Sequence, residues 1–186
     1  MAGYTHFTKI SADVLAIGQK GSESDITATP AEINKVAYKS ASVVTATGAT
    51  LTVIEALHGD RIIAFGRTAG TVCTLPAATG TGNKYTFVIA TAATSNANII
   101  KVANATDVMD GSINYQMDTD ADGTAAKAYM AEVGDDTMSF AGAATTGGIV
   151  GNIIVCIDYA AGFWSCIAHT ISGGGSEVTP FSASVS

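Results

Sequence analysis

The chain has 186 residues, a net charge of −7, 47% hydrophobic side chains and only 13% charged ones. That length accommodates one domain with a sizeable core, or a domain plus an arm, and no apolar run approaches the roughly 20 residues of a membrane-spanning helix. The nine Lys and Arg residues are scattered without a basic stripe, which argues against nucleic-acid binding, where affinity comes from neutralising phosphates.

Met1-Ala2-Gly3-Tyr4 has no basic region followed by an apolar stretch, so no secretory leader is expected. Cys73, Cys156 and Cys166 are odd in number and contain no CxxC pair, which argues against a disulfide framework and against a zinc site. They read as reduced core thiols of a protein folded in a cytoplasm. So few charges would leave a monomer poorly solvated, and large areas are expected to be covered by partners.

In chain order, residues 1–40 read as an extended N-terminal arm, with sparse and unpatterned hydrophobics through residue 25. The arm ends in a short helix near 30–38. Thr29-Pro30-Ala31-Glu32 supplies an N-cap, a proline at the first helical position and a glutamate three residues after the cap. From residue 42 the period changes to two. Strands are predicted at 42–47, 50–55, 61–67, 71–75, 84–91, 98–103, 112–118, 137–140, 152–159 and 163–171.

Turn signals fall between these strands at Thr47-Gly48, His58-Gly59-Asp60, Ala69-Gly70, residues 79–83, Ser95-Asn96, Asp110-Gly111 and Gly147-Gly148. Residues 124–133 fit a helix or a strand. The most informative stretch is GTVCTLPAATGTGNKYTFVI at 70–89: a strand stopped by Pro76, a Gly/Thr turn, and a second strand. The last hairpin turns at Ala160-Ala161-Gly162 and brings Cys156 near Cys166, within reach of a disulfide. Trp164 reads as a core or interface anchor. Residues 172–186 form a flexible tail, with 177–181 as a docking strand or an exposed end.

The predicted fold is mainly β, a sandwich, jelly-roll or barrel-like domain over 41–171, with the arm, one short helix and the C-terminal tail. Among candidate sites, Asp118, Asp120 and Asp122 stand in a DxDxDG stretch, which is how a calcium loop begins. Tyr129 occupies the place of the closing glutamate, so a solvated acidic turn is the competing reading. Asp135-Asp136 reads as a surface turn. His6, His58 and His169 lack partners at ligand spacing, and no GxSxG elbow or phosphate-cradling glycine loop is present, so no enzyme activity and no catalytic residue are assigned.

The segment Thr27 to Asn34 (TATPAEIN), the strand-turn-strand TLPAATGTGNKYTFVI, DVMDGSI at 107–113 and the end WSC…SGGGSEVTPFSASVS resemble segments of structural proteins from tailed-phage virions. Within that group the chain resembles capsid decoration, or cement, proteins. The resemblance implies a β-rich homotrimer on the capsid exterior that binds the major capsid protein and stabilises the assembled head against internal DNA pressure. It implies contact with neither nucleic acid nor membrane. The arm and the C-terminal end are the expected contact regions, because Tyr4, Phe7, Pro180 and Phe181 have no evident place in the β core. The alternative is a tail-fibre or receptor-binding module that recognises host glycan.

Overall fold

The computed structural model describes residues 16–17, 24–25, 43–117, 127–142, 145–172 and 177–185. The chain divides into two units, Met1–Ala37 and Tyr38–Ser186. In the first, β1 (Ala16–Ile17) pairs antiparallel with β2 (Ser24–Asp25), a two-rung ladder inside the stretch expected to be an extended arm. The expected helix at 30–38, together with Tyr4 and Phe7, lies outside the described residues.

The second unit is mainly β and sandwich-like, with two sheets enclosing one core. Its strands are β3 (Val43–Ala46), β4 (Thr50–Thr52), β5 (Ile62–Phe65), β6 (Val72–Thr74), β7 (Lys84–Ile89), β8 (Asn98–Lys101) and β9 (Val108–Met117). They continue with β10 (Lys127–Met130), β11 (Thr137–Phe140), β12 (Ile153–Ala160), β13 (Phe163–Ser172) and β14 (Phe181–Ser182). A single-turn helix, α1 (Glu55–His58), follows β4, where the sequence predicts the end of a strand. Among the described residues no helix is long and apolar enough to cross a membrane.

The larger sheet has the order β10-β9-β13-β12-β7-β5-β3, and the smaller has the order β14-β11-β8-β6-β4. Their connectivity is unlike a chain of hairpins. From β3 to β8 the chain steps from one sheet to the other at every strand. Alternate strands therefore pair parallel: β3 with β5 and β5 with β7 in one sheet, β4 with β6 and β6 with β8 in the other. This part of the chain winds as a flattened coil, a feature no turn signal reveals, because each turn is locally a simple strand-to-strand corner. The β12–β13 hairpin then joins the coil, antiparallel to β7, and β9 pairs parallel with β13 along ten residues.

The alternating apolar pattern drives the packing. In β7 and β12 every second residue is buried, so Tyr85, Phe87 and Ile89 share an inner face with Ile154, Cys156 and Asp158. Phe65 stacks near Phe87 with ring centroids 5.8 Å apart, and Tyr85 sits at 5.8 Å from Trp164, which is therefore a core anchor. The smaller sheet contributes Cys73, Ile100, Met138, Phe140 and Phe181 to the same cluster.

Several expectations change. Residues 127–130 are a strand that pairs with β9, which resolves the ambiguity at 124–133. Asp110-Gly111, expected as a turn, lies inside β9. Gly111 has φ +127, and a Cβ there would overlap the carbonyl of Cys166, so glycine is what allows β9 to lie against β13. The terminal segment is not simply a flexible tail. Phe181 pairs with Met138 and is 4% exposed, so it fills the core instead of offering a contact to a partner, and Pro180 is also buried. An aromatic side chain beside an open apolar edge gains more from burial than from projecting into water.

Candidate functional site

The outward positions of the larger sheet form its least solvated surface. One transverse row, followed through the strand register, contains Val43, Ile62, Thr86, Val155, Ile167, Ser112 and Met130, one residue from each of the seven strands. Ile62 is 37% exposed, Ile167 44% and Met130 76%, with Val43 half exposed. Adjacent rows add exposed Ile153, Tyr159 and Phe163 and partly buried Val88 and Ile157. Tyr159 and Phe163 lie with ring centroids 6.1 Å apart, and the Tyr159 hydroxyl donates to Asp110 Oδ2 at 2.5 Å. That bond, with the nearby negative charge, raises the Tyr159 phenol above its ordinary value.

The outer face of the smaller sheet is different. Thr50, Thr52, Thr74, Lys101, Ser139 and Ser182 alternate with the inward core residues, and among its apolar members Val72 and Ile99 are only partly exposed. Antiparallel and mixed sheets with one wet side normally place polar residues there. The small sheet follows that rule and the large one does not. The exposed apolar residues of this face are interspersed with Thr86, Ser112, Lys84, Asp110 and His169, yet they are larger and more numerous than those of the smaller sheet.

The remaining polar groups mostly hold the fold. Asp158 is buried beneath the turn at 79–82, and its carboxylate accepts from the Thr79 and Gly80 amides at 3.0 and 2.6 Å. It also accepts from the Thr81 amide at 3.2 Å and the Thr81 hydroxyl at 2.9 Å. Burial alone would push this carboxyl up, but the bonds from Gly80, Thr79 and Thr81 together outweigh it and hold it below its ordinary range. Asp107 accepts from the Ala78 amide at 2.9 Å and so fixes the start of the same loop.

Asp135 and Asp136, expected in a solvated turn, are both buried. Asp135 accepts from the Glu132 amide at 2.7 Å, and Asp136 accepts from the Ser184 and Val185 amides at 2.7 and 3.0 Å, so the pair is structural. Their burial was hidden in the sequence, because their partners are a three-residue loop and a distant C-terminus.

Asp118, Asp120 and Asp122, the candidate calcium ligands, lie outside the described residues. Among the described residues no three His, Cys, Asp or Glu side chains gather as a metal site. His58 is buried and its Nδ1 lies 2.9 Å from the Ile54 amide, which closes α1, while His169 lies exposed on the bare face.

Cys156 and Cys166 are direct cross-strand partners with Sγ atoms 3.4 Å apart, both as thiols. A cavity of about 480 Å³ beside β10 is lined by Tyr129, Met130, Glu132, Asp135, Thr179 and Phe181. Of its two acids, Asp135 accepts a hydrogen bond from the Glu132 amide at 2.7 Å. No family model, no curated protein and no solved structure matches the chain.

Proposed function

We propose that this chain is a structural subunit of a phage virion that acts by covering and being covered, as a capsid decoration protein does. The observation that carries the reading is the bare apolar face of the seven-stranded sheet, in a chain with only 13% charged residues. Such a surface is costly in a free monomer and gains about 25 cal/mol for each Å² withdrawn from water on assembly. A subunit that binds only the assembled head lowers the free energy of that state relative to ruptured or unassembled ones. Its chemistry is therefore contact, with the major capsid protein as the partner.

The second reading is a tail-fibre or receptor-binding module for host glycan. It is favoured by the coil of alternating parallel strands from β3 to β8, since wound chains build elongated bodies. The ratio of this chain to the major capsid protein in purified virions separates the two. A ratio near one, or a simple fraction set by lattice symmetry, is expected for decoration. A few copies per hundred capsid subunits would move the chain to the tail.

A further inference from the structure

We propose that the bare face of the seven-stranded sheet is covered first by a second copy of this chain, in a face-to-face dimer with two-fold symmetry. The proposal rests on the reading of this face as an interaction surface and names its occupant.

The argument is the chemical order of the outward residues across the sheet. From β5 to β10 the central row reads Ile62, Thr86, Val155, Ile167, Ser112, Met130. It is a palindrome of types: apolar, hydroxyl, apolar, then apolar, hydroxyl, apolar, with its centre between β12 and β13. The next row reads Lys84, Ile157, Ser165, Asp110, a cation at one end and an anion at the other, about the same centre.

A two-fold axis between the facing sheets, parallel to the strands and centred between β12 and β13, places β13 over the partner's β12, β9 over its β7 and β10 over its β5. In the central row apolar residues then meet apolar ones and hydroxyls meet hydroxyls; in the next row each Lys84 meets the other copy's Asp110, with Ile157 over Ser165, and in the row on the other side Ile153 lies over His169 and Val88 over Asn114. This is the self-complementarity an isologous interface requires. The aromatic pair Tyr159 and Phe163 sits on the same two central strands, so the axis also superposes each tyrosine on the partner's phenylalanine.

Within one chain Lys84 and Asp110 are three strand spacings apart, about 14 Å, too far for an ion pair and beyond the screening length at physiological salt. A second copy brings each within reach of the opposite charge. The arrangement also suits the net charge: two copies at −7 repel over most of their surface, and this face, whose cation and anion balance, is where they can approach. Six overlapping strands at about 4.8 Å spacing and about 20 Å of strand length give roughly 600 Å² per copy. About 1,200 Å² for the pair reaches the lower bound of stable interfaces. Aligned sheets pack in this manner about 10 Å apart.

The test is the mass of the purified full chain in solution by sedimentation or light scattering at tens of micromolar. A dimer is expected. Ile167→Glu, at a position exposed in the single chain, is expected to give a monomer with an unchanged circular dichroism spectrum. Lys84→Glu should weaken association at least tenfold, and adding Asp110→Lys to it should restore affinity to within about threefold, with Asp110→Asn as the control for the lost Tyr159 bond. A monomeric wild type, a trimer, a dimer indifferent to Ile167→Glu, or a charge swap that fails to restore association each overturns the proposal. A monomer that still binds capsids through this face would overturn the dimer and leave the decoration reading standing. A dimer that is absent from capsids would do the reverse.

Discussion

At the scale of single residues, this acidic chain turns several of its carboxylates inward. Asp107, Asp136 and Asp158 each hold backbone amides that a loop would otherwise leave unpaired in the interior. Asp158 carries the clearest consequence. Asp158→Ala removes the acceptor from three amides and two hydroxyls, and is expected to destabilise the domain by about 3 kcal/mol in urea unfolding. Because the folded carboxyl lies below its ordinary value, its contribution is present above the unfolded pKa of about 3.9 and is lost as pH falls through the lower folded pKa. The wild type should therefore lose stability below about pH 4 more steeply than Asp158→Asn. Parallel pH profiles of the two would count against this role for Asp158.

The cysteines make a second residue-scale test. Burial pushes the Cys73 thiol up to about 12 and raises Cys156 well above its ordinary value, with the hydrogen bond from Cys166 adding to the latter. Native protein should leave an aromatic disulfide reagent almost unreacted near about pH 8, and three thiols per chain should titrate in guanidinium. A single reactive thiol under denaturing conditions would mean that Cys156 and Cys166 are joined.

At the scale of elements, the strand ends that looked dispensable close the core. β14 is two residues long, yet it places Phe181 against Met138 and is tied by Asp136 through the Ser184 and Val185 amides. Phe181→Ala is expected to cost about 3–4 kcal/mol by leaving a cavity. An unchanged thermal midpoint would show that the terminal strand is peripheral. Gly111→Ala forces a Cβ into the backbone of β13 at a positive φ, and should destabilise by more than about 2 kcal/mol or abolish soluble expression. A stable variant would mean that β9 can shift away from β13.

At the scale of the whole molecule, two properties follow from the winding. The β9–β13 and β7–β12 ladders join distant parts of the chain, non-local pairings of the kind that slow folding. Refolding is accordingly expected in milliseconds to seconds, as measured by stopped-flow Trp164 fluorescence, and microsecond refolding would contradict it. The second property is the contrast between a polar and an apolar outer face. The two sheets share one core, but only the larger exposes a broad apolar surface to the outside. That contrast is what the proposed contact role and the proposed dimer both rest on, with β12 and β13 at the centre of the apolar rows.

The sequence by itself determined the β class, because a two-residue apolar period and small-residue turns admit little else. It also located most strands of the second unit, from 42–47 to 163–171, and the turn at Gly162, whose φ of +81 is what that hairpin requires, but not β1 or β2, nor the start of β9. These are local properties, written in contiguous residues. Tertiary structure alone decided which strand lies beside which, and so made β3 to β8 a coil, because parallel partners are separated by a passage through the other sheet. It alone buried Asp136 and Phe181, whose partners lie far along the chain. The bare face belongs to the same class. Ile62, Val155 and Ile167 each read as ordinary strand residues, Met130 lies in a stretch that fits a helix or a strand, and only the register that aligns seven strands turns them into one surface.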